Sequence, residues 1–256
     1  DKLEAKPGRN SLQIIFNKDS GTMRSVWANA RYDASEYGTK LVANLLGCSG
    51  FSYPKSLWAV YDCIIAATKN DKGAIVLDFF SGSGTTAHAV MQLNADDGGN
   101  RKSIMIQAPE DLDEALKIVE NNEKTTIQNA IKFLDSIKKP HLLTEIGKER
   151  IRRASKKIQE ELKEKNKQSK LAEEKVDLSK LDFGFRVFRL DSSNMKDVYY
   201  NPEEINQTTL TNFKDNIKED RTDKDLLYQV LLDLAVPISA KVEEQEIKKK
   251  TIYKVN

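Results

Sequence analysis

The spacing of apolar positions changes several times along the chain, and each change predicts an element. Ala74-Ile75-Val76-Leu77 is a short, β-branched run with the length of a buried strand. Gly82-Ser83-Gly84 breaks it, and the chain from Thr85 onward is helical in character. A second strand is predicted over 103–107, so this stretch reads as a strand–helix–strand crossover. Upstream, Leu57, Val60, Tyr61, Ile64 and Ile65 fall on one face of a helix entered through Pro54 and Ser56. Leu41 to Leu46 reads as a short helix stopped by Gly47. A strand is predicted over 11–16, a turn over 19–21, and Trp27 as a packing anchor.

Downstream, residues 111–143 read as two packing helices. Leu112, Ala115, Leu116 and Val119 mark one. Thr125 and Gln128 fit a capping box opening the other, with Ile127, Ala130, Ile131 and Leu134 on its face. Pro140 ends it. A narrow stripe of Ile151, Ala154, Ile158 and Leu162 predicts a further helix, and 166–175 a polar linker. Alternation over 181–190 predicts a strand turning out at 191–194. Asp223 is the expected cap of a helix carrying Leu226, Leu227, Val230, Leu231 and Leu234, stopped by Pro237. The lysine-rich stretch 250–255 suits an edge strand.

Composition narrows the class without deciding it. The 256 residues suit one to two domains. Charged residues make up 31% and the net charge is only +2, too small to argue for nucleic acid. Its distribution says more: residues 147–175 hold eleven Lys or Arg against six Glu. A charged helix is ordinarily a solvated face; phosphate contact along DNA, through Lys148, Arg150, Arg152 and Arg153, is the alternative. Cys48 and Cys63 have no metal-ligand spacing and fit a reducing cytoplasm, both buried. With His88 and His141 the only histidines, little room remains for a histidine-based metal or triad site, and none is expected. No run approaches the roughly 20 apolar residues of a membrane span. The chain begins at Asp1 in polar sequence and reads as a piece of something longer.

The candidate chemistry lies at the glycine turn. Small residues admit a ligand to the backbone, and a helix start favours an anionic group. A triphosphate loop would need Lys after the second glycine, and Thr85 stands there. Gly82, Gly84 and Ala87 meet the dinucleotide fingerprint loosely. A nicotinamide-dependent dehydrogenase is disfavoured by Thr85-Thr86 and by Gln107, where an acid is usual. The whole run Asp78-Phe79-Phe80-Ser81-Gly82-Ser83-Gly84-Thr85-Thr86 resembles motif I of the amino-methyltransferases of DNA. Pro54-Lys55-Ser56 is similar to their motif X; without that likeness Lys55 would read as a solvated lysine. Ile146 to Ala154 and the segment 184–194 resemble stretches of one subfamily, the modification subunits of type III restriction systems.

That resemblance implies a fold class of α/β, a Rossmann-like sheet for S-adenosylmethionine. The sheet is expected to be partial, lacking its N-terminal catalytic half, with a small α+β C-terminal domain. The expected boundaries are 1–35 for a linker from a target-recognition part, 36–190 for the cofactor-binding half, and 191–256 for the C-terminal domain. It implies an N6-adenine methyltransferase of DNA working with a restriction subunit, as a homodimer of the full-length subunit. The cofactor residues implied are Pro54, Lys55, Ser56, Asp78, Phe79, Gly82, Ser83, Gly84, Thr85 and Thr86. Asp78 is expected to meet the ligand's ammonium group or to hold the loop's amides. Gln107 or Glu110 is expected at the ribose. The family's Asp-Pro-Pro-Tyr motif is absent, since no Pro-Pro pair exists and Asn201-Pro202 leads into Glu203-Glu204. No catalytic residue is therefore expected here, and the chain alone is expected to be inactive. The competing expectation is a non-catalytic module for dimerisation, restriction-subunit docking or DNA contact.

Overall fold

The computed structural model describes residues 2–7, 12–17, 26–68, 71–168, 176–196 and 216–256. The expected turn at 19–21, most of the polar linker and the Asn201-Pro202 pair lie outside these residues. Two compact units are present, Asp1–Phe185 and Arg186–Asn256.

The first unit is built around one helix. Strand β1 (Lys2–Pro7) pairs antiparallel with β2 (Leu12–Asn17). A π-helical turn, Ser35–Lys40, runs into α1 (Leu41–Leu46), which Gly47 stops in the left-handed region at φ 78°. Then follow α2 (Leu57–Thr68), β3 (Ile75–Asp78), α3 (Thr85–Asp97) and β4 (Lys102–Met105). Nine of the thirteen residues of α3 are buried, Ala87, Ala89 and Ala95 among them, and such short side chains allow neighbouring helices to approach closely. Leu57 and Ile64 of α2 pack on Ala89, Val90 and Leu93. On another side, α6 (Leu143–Gln168) brings Ile151, Ala154, Ile158 and Leu162 against Ala87, Met91 and Ala95. A separate cluster joins Val42 and Leu46 to α4 (Leu112–Ile118) and α5 (Asn121–Ser136) through Leu112, Ala130, Phe133, Leu134 and Ile146.

Strands β3 and β4 are parallel, with Leu77 opposite Ile104. Their inner face sends Val76 and Met105 into the two clusters that flank α3. The outer face is bare: Ile75, Leu77, Ile104 and Ile106 are between 46% and 65% exposed. The expectation of a buried strand therefore fails on one side. Parallel strands are normally covered on both faces, and among the described residues only one covering layer is present.

Other boundaries differ in instructive ways. Helix α5 begins at Asn121, four residues before Thr125, and has no side-chain cap. The Thr125–Gln128 pair thus lies inside a helix. Helix α6 continues to Gln168, and Asn166 exchanges hydrogen bonds with the Val176 backbone where a linker was expected. Residues 181–190 form no strand, and among the described residues no strand pairs with them; Phe183 packs instead on the α3–α6 cluster. Cys63 is exposed rather than buried.

The second unit holds α7 (Asp223–Asp233) and the hairpin β5 (Val242–Ile247) with β6 (Lys250–Val255). The cap of α7 is Thr222, one residue before the expected Asp223, in a reciprocal box with Asp225. Phe188 meets Tyr228 edge-on, with ring centroids 4.9 Å apart. Among the described residues no helix is long and apolar enough to cross a membrane.

Candidate ligand site at the glycine loop

The loop between β3 and α3 is a closed structure held by its own side chains. Gly82 and Gly84 take φ values of 49° and 77°, the left-handed region where a side chain costs roughly 1–2 kcal/mol. Asp78, at the end of β3, accepts the Phe80 N–H at 3.1 Å through Oδ1 and the Thr86 hydroxyl at 2.6 Å through Oδ2. Of its two expected roles, holding the loop is the one its contacts display. Ser81 donates its N–H to the Ile106 carbonyl, and Gly84 to the Ser81 carbonyl. The Gly82 N–H goes to Gln107 Oε1 at 2.8 Å.

These bonds bear on two expectations. The amides of Phe80, Ser81, Gly82 and Gly84 already have partners in the chain, so these four are not bare N–H groups for a ligand. Gln107 gives its amide oxygen to the Gly82 N–H, so in this structure it serves the loop. Glu110 is exposed, and its backbone carbonyl accepts from Leu143. What stays open is two aromatic rings; the start of α3 has no side-chain cap, but Ser83, Gly84 and Thr85 there are buried. Phe79 is 62% exposed and Phe80 90%.

The underside of the loop rests on α6, a contact that sequence spacing did not announce. Arg150 has no exposed surface. Its Nη1 donates to Ser83 Oγ at 2.5 Å, to Thr85 Oγ1 at 2.7 Å and, more weakly, to the Ser83 carbonyl at 3.4 Å. Ser83 and Thr85, expected to face a ligand, thus turn their hydroxyls inward and are buried. A Cβ on Gly147 would lie 2.9 Å from the Gly82 carbonyl oxygen, so only glycine lets α6 come this close. The Phe51 ring sits beneath Gly82, where a Cβ would meet its Cζ at 3.1 Å. Burial lowers the Arg150 pKa to about 9, still leaving it charged at neutral pH. Buried His88, one helical turn along α3, is held near pKa 3 by burial and by the charges of Arg150 and Lys157.

The Pro54–Ser56 turn lies three residues from Phe51. Pro54 is buried, and a Cβ on Gly38 would run into its carbonyl. Ser56 is buried with its hydroxyl donating to the Arg31 carbonyl at 3.1 Å, and Lys55 is exposed. Tyr53, just ahead, has φ 52°, uncommon for an aromatic residue and a mark of a constrained turn.

Of the four cations named for phosphate contact, most are engaged within the protein. Arg150 is inside the protein. Lys148 pairs with Glu145. Arg153 bonds Glu149 and the carbonyls of Leu45 and Leu46 at 3.1 and 2.9 Å, closing the end of α1. Arg152, the most exposed of the four, pairs with Glu149 at 3.4 Å and lies over the Phe185 ring. Phosphate contact needs uncommitted cations at the surface, and the guanidinium groups of Arg150 and Arg153 are engaged in packing. An arginine that alternates with the apolar stripe at Ile151 and Ala154 could have been read as a buried one.

Residues 2–117 match the family model of a DNA methylase. The chain is 43% identical over 116 residues to the EcoPI Mod subunit of a type III restriction-modification enzyme from Escherichia phage P1, covering 42% of this chain and 17% of that protein. It is 38% identical over 160 residues to the StyLTI Mod subunit of a type III restriction-modification enzyme from Salmonella typhimurium, covering 57% and 21%. It is 38% identical over 104 residues to the type II methyltransferase M.KpnI from Klebsiella pneumoniae, covering 39% and 24%. The matched regions are thus a quarter or less of these relatives' lengths.

Proposed function

From the match of residues 2–117 to the DNA methylase family model, we propose that this chain is the cofactor-binding portion of a DNA N6-adenine methyltransferase of a type III restriction-modification system. Its fold is then part of a Rossmann-like sheet for S-adenosylmethionine, with β3, the glycine loop and α3 at the ligand. One observation carries this reading: the β3–α3 junction turns through two glycines at positive φ inside the matched residues.

Two features of the loop support such a ligand. Phe79 offers an open ring to an adenine face, and the first turn of α3, which has no side-chain cap, carries the positive end of the helix dipole that suits a carboxylate. Asp78, Gln107 and Arg150 hold the loop in shape around them. S-adenosylmethionine supplies a methyl group activated by a sulfonium. This chain's own part is binding and orientation. Nothing in it takes the role of Asp-Pro-Pro-Tyr, so methyl transfer requires residues beyond these. DNA, a restriction subunit and a second modification subunit are the partners this reading implies, in the cytoplasm.

Titration calorimetry with S-adenosylmethionine tests it, on this chain and on the full-length parent. Binding by the parent that Gly82→Val removes supports the reading; no heat from either protein sinks it. A second reading, a non-catalytic assembly or DNA-contact module, draws on the internally used amides and the inward hydroxyls. DNA binding by this chain that weakens with salt and ignores the cofactor would favour it.

A further inference from the structure

We infer that Arg150 is the positioning residue of the glycine loop: from α6 it locks Ser83 and Thr85, and so fixes the backbone turn at Gly82 and Gly84. This deepens the proposed function and rests on it for the identity of the ligand.

Three features point the same way. First, a single nitrogen, Nη1, gathers the carbonyl and hydroxyl of Ser83 and the hydroxyl of Thr85. Those two residues flank Gly84, the pivot between loop and helix. Second, Nε and Nη2 of the same guanidinium are buried with no acceptor among the described residues. A buried charge with unsatisfied donors is costly, and a well-packed apolar residue of similar volume is often as stable or more so. Arginine here is therefore poorly explained by stability and well explained by direction: it holds acceptors from two residues in one geometry. Third, Gly147 lies one turn before Arg150 on α6, and its lack of a side chain lets the helix touch the Gly82 carbonyl. Helix and loop meet as one unit, with Gly84 also against Ile151, where a Cβ would lie 3.2 Å from Cγ1.

Ser83 and Thr85 oxygens engaged by a cation are committed as acceptors. Their own protons, and the start of α3, then have fixed directions before any ligand arrives. A loop pre-set in this way avoids the ordering that binding would otherwise require.

Amide hydrogen exchange on the whole chain tests this without a ligand. Arg150→Met should speed exchange at 81–85 on the order of tenfold, the loss expected for a charge-assisted hydrogen bond, while α5 exchanges as before. Arg150→Lys should restore part of the protection. Unchanged exchange at 81–85, or equal acceleration in α5, overturns the inference. Should Arg150→Met fail to fold, Thr85→Val removes one acceptor and should loosen the same amides alone; unchanged protection there also overturns it. S-adenosylmethionine titration of the same proteins separates the two claims. Absence of binding by the unaltered chain and its parent removes the cofactor reading, and the exchange result still decides the role of Arg150.

Discussion

Gln107 Oε1 accepts the Gly82 N–H across the mouth of the β3–β4 pair, at 2.8 Å. The bond ties the loop after β3 to the residue just past β4, so the two strand ends cannot drift apart without losing it. Gln107→Ala should lower the unfolding free energy by about 1 kcal/mol, the usual worth of one such bond. Gln107→Glu keeps an acceptor and should recover most of it. Chemical denaturation of the three proteins measures the difference.

Gly82→Val meets two obstacles at once. The φ of 49° disfavours a β-branched residue, and the new Cβ would press on Phe51. The clusters around α3 do not include Gly82 and should survive. The expected outcome is lost affinity for S-adenosylmethionine with a cooperative thermal transition retained. Undiminished affinity would remove Gly82 from the ligand site.

His88 makes the protein acid-sensitive. Burial first, then Arg150 and Lys157, lower its pKa in the folded chain from 6.5 to about 3. Between those values the unfolded chain takes up a proton that the folded chain refuses. Stability is therefore full above pH 6.5 and falls as pH drops toward 3, by up to about 1.4 kcal/mol per pH unit from this group. His88→Leu should flatten that part of a denaturation-versus-pH curve.

His141 has the opposite sign. Its ring nitrogens lie 2.9 Å from Asp135 and 2.8 Å from Asp113, and these carboxylates raise its pKa above 6.5. Its stabilising share is complete below pH 6.5 and is lost as pH rises through the folded value. Proton NMR of the imidazole should show a midpoint above 6.5, moving down in Asp135→Asn.

Local patterns carried most of the fold. The α2 face, the Gly47 stop and the strand–glycine–helix junction depend on neighbours within one turn, and all are visible in the residues themselves. The failures share a cause. Phe183 and Val187 alternate like a strand, but a strand needs a partner that no local pattern reveals. Thr125 and Gln128 have capping chemistry, and the helix simply begins earlier. In the site, Arg150 sits in a charge run, and its burial depends on the loop 67 residues before it in sequence. Ser83 and Thr85 face inward for the same reason.

The uncovered side of β3 and β4 has a consequence for handling the protein. Water's aversion to Ile75, Leu77, Ile104 and Ile106 grows with temperature near ambient conditions and fades on cooling. Gentle warming should thus cloud a concentrated sample reversibly, before any melting, and chilling should clear it. Light scattering across that range, with Leu77→Lys as the soluble counterpart, would register the effect.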